Sequence, residues 1–515
     1  MTGDLGWDEY ADTVSPLGLT NLNPLGEAPK GTFRYIRIHN MFSGPEGDHR
    51  GSRDAGGHPV KIDNDGNYYY DWTSIDKVLQ AILDVNCVPF LELGFTPNLW
   101  SSIPEGEKVR YKENPTPMDE VENPLSFYPP KDYALWADLV NAFLLHIEEK
   151  FGDVVKEWPT ELWNEPDILY FKGTLDQYCE LWKLTYNVCK KHGMKTVGAP
   201  SVARTGPFLT GVLEYSVEHD CRLDFISYHV KGGSAGNSEM SNPILIWGKL
   251  LEGRDRIQAL DEYKDTPIYI TEIDPLVGCE FGIPDRPNLE WRNESYYASW
   301  LGKMCYLIAS MQRGWEYGEN EPDESIGPFF CHAHFNDAHH VTAEHQTFYG
   351  ARCLTTPVWI KDDTEVRTSA LKKPIFRAFE YTRFLEGSYI PFADFKQDVF
   401  GMLAYNDDIL NLCVVVHNDR FNEGQTAEVN LRIENLPHDV SEIVKSVRID
   451  SDSANPYEAW KALGSPKKID PNQYEQLLEA SKPKNLKLYD VVMEENIVEI
   501  SFNAKKHSFN FIRLK

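Results

Sequence analysis

The feature that most constrains the fold is an alternation of short apolar runs with helix-like segments across residues 33–335. Runs of about four to eight residues rich in Val, Ile, Phe and Tyr are typical of buried strands. The segments between them repeat their apolar residues at helical spacing, as Ile75, Val78 and Ile82 do. Because strands that alternate with amphipathic helices form parallel βα units, an α/β fold is predicted.

Seven strands are predicted in this region, and they span residues 33–40, 88–93, 158–166, 196–199, 223–229, 267–272 and 327–335. A (β/α)8 TIM barrel requires an eighth, for which the weak run Leu17–Leu22 is the upstream candidate. An open doubly wound sheet is the alternative, but no Gly-x-Gly-x-x-Gly turn follows a predicted strand. The barrel is therefore the predicted fold.

The sequence pattern changes after a helix predicted over Ile375–Leu385. From residue 388 to 515 short runs alternate apolar and polar residues, which predicts an all-β sandwich with one helix near 471–481. A chain of 515 residues is long enough for two domains. We expect a catalytic barrel over 17–387 and a sandwich over 388–515, preceded by an N-terminal segment, residues 1–16, for which joining the sandwich is one expectation.

Charge and cysteine usage limit the partners and the compartment. The formal net charge of −28 disfavours nucleic acid and anionic membranes as partners, and no apolar stretch approaches the roughly 20 residues of a membrane span. The nine cysteines are scattered and contain no Cys-x-x-Cys pair, which favours a reducing compartment. Since the N-terminus lacks a basic and apolar leader, a cytoplasmic protein is predicted.

The active site of a parallel barrel lies at the carboxyl ends of its strands. The polar side chains at these ends are His39, Glu92, Glu165, His229 and Glu272. Proline after Glu165 ends strand pairing, so this glutamate is expected at the rim of the barrel. A solvent-exposed glutamate at a strand-to-loop turn is the ordinary alternative for such a residue.

Two carboxylates that converge across a cleft suit glycoside hydrolysis, because one can protonate the leaving oxygen while the other attacks the anomeric carbon or activates water. Glu165 and Glu272 end the fourth and seventh strands if the weak first strand is counted, and such strands face each other across a barrel rim. Asn164 is placed to bind a sugar hydroxyl. On spacing alone, a barrel enzyme of another kind remains open.

Several stretches in both halves of the chain also resemble one family. They are Tyr35–His39, Glu92–Pro97, Pro129–Tyr133 with Trp136, Trp163–Pro166, Asp224–Ser227 with His229, Ile270–Glu272, Ile449–Asp450, Asn455–Tyr457 with Trp460, and Gly464–Pro466. Together they resemble the β-xylosidases of glycoside hydrolase family 39, which belong to the retaining (β/α)8 glycosidase clan.

The resemblance implies a retaining exo-glycosidase that releases a terminal sugar from an oligosaccharide or glycoside. Glu165 would be its general acid/base and Glu272 its nucleophile. Asn164, His39 and His229 would line the terminal-sugar subsite with support from Arg37. No cofactor is implied, and family members are often homo-oligomers.

Three departures from the family pattern make the sugar uncertain. Ile273-Asp274-Pro275 follows the nucleophile position, and Val230-Lys231 follows His229. The last strand carries histidines in place of the usual tryptophan, and no paired glutamates follow Asp337. The remaining candidates for binding the sugar there are His332, His334 and Asp337. Alternatives are therefore an α-L-arabinofuranosidase or another pentosidase or hexosidase, and more distantly a non-catalytic sugar-binding barrel.

The histidine-rich segment of the last strand also admits a metal site. Its members are His332, His334, Asp337, His339, His340 and His345. Imidazole and carboxylate groups suit zinc or iron, and His332 and His334 would share one face of a strand. Because histidines that bind sugar hydroxyls need no metal, no metal is predicted.

Overall fold

The computed structural model describes residues 2–5, 23–38, 41–42, 59–107, 125–232, 243–276, 282–283, 286–312, 326–334, 347–348, 350, 354–362, 364–406, 409–436, 440–494 and 496–515. The strands of the first half are β1 Thr2–Leu5, β2 Tyr35–Ile38, β3 Val60–Ile62, β4 Tyr68–Tyr70, β5 Val88–Leu93, β6 Thr160–Leu162, β7 Val197–Val202, β8 Phe225–Lys231, β9 Ile268–Asp274 and β10 Ile326–His334. Eight of them close into a barrel in the order β1-β10-β9-β8-β7-β6-β5-β2, and β3 pairs with β4 as a hairpin.

Helices surround this barrel. They are α1 Asn23–Gly26, α2 Thr73–Asp84, α3 Tyr133–Phe151, α4 Leu175–Lys191, α5 Pro207–Glu218, α6 Pro243–Gln258 and α7 Ser295–Gln312, with 3-10 turns at Asn98–Trp100, Asp153–Glu157, Asp261–Tyr263 and Pro287–Asn293. Local signals set several starts: the Asp132 carboxylate accepts the Ala134 N–H at the start of α3, and Thr174 forms a capping box with Gln177 at the start of α4. The predicted alternation of parallel strands and helices is confirmed.

The eighth barrel strand is not the predicted run Leu17–Leu22, which lies outside the described residues. It is β1, which pairs in parallel with β2 and with β10. The expectation that the N-terminal segment joins the sandwich is therefore wrong for Thr2–Leu5. The run Thr-Gly-Asp-Leu carries little strand signal in its composition. It forms a barrel strand nonetheless, because backbone pairing with two neighbours holds it in place.

The second half is mainly antiparallel. Its strands are β11 Thr355–Lys361, β12 Val366–Lys372, β13 Ser388–Asp394, β14 Val399–Tyr405, β15 Leu410–Val416, β16 Ala427–Glu434, β17 Ile443–Ile449, β18 Lys484–Asn485, β19 Leu488–Glu494, β20 Ile497–Ala504 and β21 Ser508–Leu514, and its helices are α8 Pro374–Thr382, α9 Pro456–Ala462 and α10 Pro471–Ala480. A six-stranded sheet, β13-β14-β15-β21-β17-β18, packs on a three-stranded sheet, β16-β20-β19, around a shared apolar core. The predicted sandwich is confirmed, and the boundary at 387/388 stays a prediction.

Helix α7 joins the two halves. Apolar residues of α7 and of β15 and β21 belong to one continuous buried core. Gly302 of α7 lies so close to β15 that an added Cβ would overlap Val415, so glycine is needed for this approach. Among the described helices, none combines the length and the apolarity required to cross a membrane.

Candidate active site

The loop after β6 places Glu165 at the rim of the barrel. Trp163 and Glu165 have φ values of 70° and 45°, in the left-handed region that turns the chain sharply. The Glu165 N–H donates to the carbonyl of Ser201 on β7 at 3.0 Å. The strand-to-loop turn predicted at Pro166 is therefore held by a backbone hydrogen bond to the neighbouring strand.

Glu165, His229 and Glu272 converge at this rim. One ligand atom from each side chain lies within 4.8 Å of the others. His229 Nδ1 is 2.8 Å from Glu165 Oε1 and 3.5 Å from Glu272 Oε2. The Glu272 side chain is only 3% exposed and that of Glu165 is 14% exposed, so Glu165 lies closer to solvent.

Arg37 on β2 supports this group from within the barrel. Its fully buried guanidinium pairs with Glu92 and Glu161 and lies 3.4 Å from Glu272 Oε1. It also donates to Asn164 Oδ1 at 3.2 Å. Because Oδ1 accepts from Arg37, the amide nitrogen of Asn164 is the group that can donate to a sugar hydroxyl.

Around Arg37 the acidic side chains of Glu92, Glu161 and Glu272 outnumber the single guanidinium. Burial raises the pKa of Glu161, the Arg37 cation opposes this shift, and the Glu92 carboxylate adds to it. Since Arg37 is bound to both Glu92 and Glu161, its charge is fixed deep in the barrel and only partly compensates Glu272.

A second cation, Lys231 on β8, reaches Glu272 from the rim and forms an ion pair with it. Its side chain is 13% exposed. In the sequence Lys231 is only a departure from the family pattern, and it is not among the predicted site residues. The sequence does contain a signal that Lys231 belongs to the site: it follows His229 by two residues, and residues two apart on a strand lie on the same face.

Ser201 is a further residue that the sequence did not indicate. Its hydroxyl contacts Arg37, His229 and Thr271 in the interior of the site. It lies within the buried strand β7. A serine in such a strand gives no signal that distinguishes it from an ordinary core residue.

The predicted site residues fall into two groups. The structure brings Arg37, Asn164, Glu165, His229 and Glu272 together around one carboxylate pair. The remaining candidates stay predictions, since His39 and Asp337 lie outside the described residues, as do the side chains of His332 and His334, whose backbone belongs to β10.

Glu165, His229 and Glu272 could also offer ligands to a metal ion, but the carboxylate of Glu272 already has two cationic partners. Arg37 and Lys231 already contact the Glu272 carboxylate. A divalent cation that bound Glu272 would have to compete with both of them for its oxygens. A sugar with neutral hydroxyl groups meets no such competition.

The spacing of the two carboxylates fits a particular chemistry. Glycosidases that retain anomeric configuration keep their carboxyl groups about 5–5.5 Å apart, and those that invert it separate them by about 6.5–9.5 Å to admit water. One oxygen of Glu165 lies within 4.8 Å of one oxygen of Glu272, an approach compatible with the shorter spacing. The arrangement suits nucleophilic attack by one carboxylate and proton transfer by the other.

Comparisons with known proteins give a consistent result. Residues 20–488 match the model of a family described as glycosyl hydrolases family 39. A β-xylosidase of Caldicellulosiruptor saccharolyticus is 24% identical over 466 residues, which are 88% of this chain and 85% of that relative. An α-L-iduronidase of Mus musculus is 22% identical over 511 residues, 90% of this chain and 68% of that relative.

A solved structure agrees with the fold. The crystal structure of a monomeric β-xylosidase from Caulobacter crescentus superposes with a TM-score of 0.70 at 20% identity, covering 99% of this chain and 95% of that one. At this identity the likeness supports the architecture of a barrel followed by a β domain.

Proposed function

The chain belongs to family 39 of the glycosyl hydrolases, and on that premise we propose that it removes a terminal sugar with Glu165 as general acid/base and Glu272 as nucleophile. The protein is a glycoside hydrolase of the retaining type. The observation that carries the residue assignment is the convergence of oxygens of Glu165 and Glu272 within 4.8 Å, with His229 beside both.

The proposed reaction has two steps. In the first, a Glu272 oxygen attacks the anomeric carbon while Glu165 gives its proton to the departing glycosidic oxygen, so that a glycosyl ester forms and the aglycone leaves. In the second, Glu165 takes a proton from water, the resulting hydroxide oxygen attacks the anomeric carbon, and Glu272 leaves as a carboxylate. Arg37, at 3.4 Å from Glu272 Oε1, stabilises that carboxylate before and after the covalent step.

The first candidate sugar is xylose, as in the β-xylosidase relatives. The proposed substrate is therefore a β-xyloside or xylo-oligosaccharide cleaved at its non-reducing end. Activity on another pentoside or hexoside, such as an α-L-arabinofuranoside, stays an alternative because the last strand departs from the family pattern. The predicted cytoplasmic location and homo-oligomer are also retained as proposals, and light scattering on the purified protein tests the second.

A second candidate is an acidic sugar, and Lys231 favours it. A β-D-xyloside and an α-L-iduronide share configuration at C1 to C4 and differ by a carboxylate on C5, so one rim geometry can suit both. Lys231 is a largely buried cation that pairs with the proposed nucleophile Glu272, and a substrate carboxylate bound beside it would share this cation with Glu272. The similarity to α-L-iduronidases is consistent with this reading.

A panel of aryl glycosides tests both candidates. The panel contains the β-D-xyloside, α-L-iduronide, β-D-glucuronide and α-L-arabinofuranoside of one fluorescent phenol, and NMR of the first sugar released gives its anomer. Release with retained configuration is expected. Turnover of the iduronide well above the xyloside would favour the acidic sugar, and the reverse would favour xylose.

The Glu272→Ala variant tests the mechanism. Turnover should fall by at least about a thousandfold, and azide should restore it with inverted glycosyl azide as product, because the small anion enters the space that the carboxylate left. Wild-type activity in this variant would overturn the assignment of Glu272. Saccharide binding without turnover of any glycoside by the wild-type protein would instead support a non-catalytic barrel.

A further inference from the structure

We infer that Ser201 is a positioning residue: by donating to Nε2 it stabilises the tautomer of His229 that carries its proton on Nδ1, where the N–H faces both reactive carboxylates. The hydrogen-bond geometry around the Ser201 hydroxyl carries the inference. Its meaning for catalysis rests on the proposed function.

Three groups surround the hydroxyl of Ser201. The guanidinium of Arg37 donates to Ser201 Oγ at 3.0 Å. His229 Nε2 lies 2.9 Å from the same oxygen, and Thr271 Oγ1 lies 3.2 Å from it. All four residues are buried, so each of these groups needs a partner of matching donor or acceptor character.

The other ring nitrogen of His229 decides the direction of these bonds. Nδ1 faces Glu165 Oε1 at 2.8 Å and Glu272 Oε2 at 3.5 Å. Carboxylate oxygens accept hydrogen bonds, so a proton on Nδ1 satisfies this side, and in the neutral ring Nε2 is then an acceptor. For the neutral ring, one assignment satisfies all of these groups: Ser201 accepts from Arg37 and Thr271 and donates its own proton to His229 Nε2.

The opposite tautomer satisfies fewer groups. With its proton on Nε2, His229 would present a lone pair on Nδ1 to two carboxylates. Glu165 would then have to direct its own acidic proton at His229 instead of at the glycosidic oxygen. By donating to Nε2, the Ser201 hydroxyl stabilises the tautomer that leaves the acidic proton of Glu165 available for the glycosidic oxygen.

The fixed N–H also serves both steps of the reaction. Glu272 is the anion before the covalent step, and Glu165 is the anion after it, when Glu272 is held in the ester. His229 Nδ1–H lies within reach of both. An N–H donor between the two carboxylates can stabilise the negative charge on Glu272 before the covalent step and on Glu165 after it, while the protonation of the ring stays the same.

The backbone of Ser201 positions the hydroxyl independently of the side chain. Its φ of 52° lies in the left-handed region, its N–H donates to Ser227 Oγ at 3.0 Å, and its carbonyl accepts the Glu165 N–H. Alanine preserves the N–H and the carbonyl. A Ser201→Ala substitution therefore removes only the three hydroxyl contacts, which makes it a clean test.

The first test is the tautomer in the wild-type protein. Histidine ring nitrogens are labelled with ¹⁵N, and the His229 signals are identified by their loss in His229→Gln. A protonated Nδ1 and an unprotonated Nε2 are expected. A proton on Nε2, alone or together with one on Nδ1, would overturn the inference whatever the enzyme's substrate proves to be.

The second test compares two leaving groups on the sugar that the enzyme accepts. The dinitrophenolate of a dinitrophenyl glycoside departs without protonation, whereas the leaving group of a methylumbelliferyl glycoside needs more help from the acid. Ser201→Ala should lower kcat/KM about tenfold for the second substrate and by less than about twofold for the first. An equal loss for both would indicate a merely structural role, and no loss for either would contradict the inference.

Thr271→Val is the matched control. It removes the other hydroxyl next to Ser201 but leaves the bond from Ser201 to His229. The ratio of kcat/KM for the two substrates should stay at the wild-type value. If Thr271→Val changes this ratio as much as Ser201→Ala, then Ser201 donates to Thr271 and the assignment is wrong.

Discussion

Two groups of potential metal-ligating side chains converge in the described residues, and they have different surroundings. The first, Glu165, His229 and Glu272, lies at the barrel rim. The second joins Glu290 and Glu294, near the start of α7, to Glu458 of α9. Both contain carboxylates within 4.8 Å of one another, so convergence alone does not distinguish a reaction site from a structural contact.

The second group is saturated by its own partners. Lys461 Nζ lies 2.7 Å from Glu290 Oε1 and 3.6 Å from Glu294 Oε1, and it pairs with Glu458 as well. Asn455 donates to Glu294 at 2.6 Å. Burial raises the pKa of Glu294 to about 8, and the adjacent Glu458 carboxylate adds to this shift. The Glu294 carboxyl therefore holds a proton at neutral pH.

The difference lies in where the cations are tied. Lys461 is bound directly by all three glutamates, which stabilises the contact between the two halves of the chain. At the rim, Arg37 is held mainly by Glu92 and Glu161 deeper in the barrel. Lys231 pairs with Glu272 at the rim, whereas Glu165 contacts the ring of His229. In the proposed mechanism this arrangement leaves Glu165 to exchange a proton with the substrate.

Among the changes that compare the two groups, the largest effect is expected from Glu165→Gln. Removing the acid/base should lower kcat by about a thousandfold for glycosides with poor leaving groups, since general acid catalysis contributes roughly 10² to 10⁴. Activated glycosides should form the covalent intermediate and accumulate it, because the second step lacks its base. A burst of released phenol in stopped-flow experiments checks this. A uniform loss without a burst would show that the rim group does not act in two separate steps.

A matched pair of lysine variants sharpens the comparison. Lys231→Met should reduce kcat/KM on an acidic-sugar substrate by about tenfold to a hundredfold, the range for a hydrogen bond to a charged group. Lys461→Met should leave kcat/KM within about twofold and lower the thermal midpoint by about 2 °C. Kinetics and calorimetry on both variants check this. The same effect of both changes on activity would remove the distinction between the two groups.

The pH dependence of stability should separate the two groups further. In the folded chain Glu294 keeps its proton up to about pH 8, whereas the unfolded chain loses it near 4.5. Its favourable contribution is present below pH 4.5 and is lost as the pH rises towards 8. The thermal midpoint should therefore fall less between pH 5 and 8.5 in Glu294→Gln than in the wild type.

The control for this experiment is Glu479→Gln. Glu479 pairs with Lys482 at the surface, where its side chain is 75% exposed. Its stability curve should parallel that of the wild type across the same pH range. Parallel curves for Glu294→Gln and the wild type would mean that the buried proton is absent.

The smallest effect is expected from chelation. EDTA or phenanthroline should leave turnover unchanged, because Arg37 and Lys231 already contact the carboxylate that a metal would need. Activity assays before and after dialysis, with metal analysis of the protein, check this. Loss of turnover that a divalent cation restores would contradict the charge pairing described for the rim.

The barrel and the sandwich could be predicted from the sequence because their signals are local, and the five site residues that the structure brings together were indicated by strand ends and by the family resemblance. The helical spacing of Ile75, Val78 and Ile82 and the proline after Glu165 each concern residues close together in the chain. Strand β1 could not be predicted. Its position depends on pairing with residues near 35 and 330, which its own composition does not encode.

The sequence by itself determined the alternation of strands and helices, and hence that Glu165 and Glu272 lie towards the carboxyl ends of strands of one barrel. Only the tertiary structure decided what those glutamates face. Arg37 and Glu272 are separated by 235 residues in the chain, and Ser201 and His229 by 28. Contacts of this kind arise when distant segments pair as strands and the sheet closes, because this assembly fixes which buried donors and acceptors must satisfy one another.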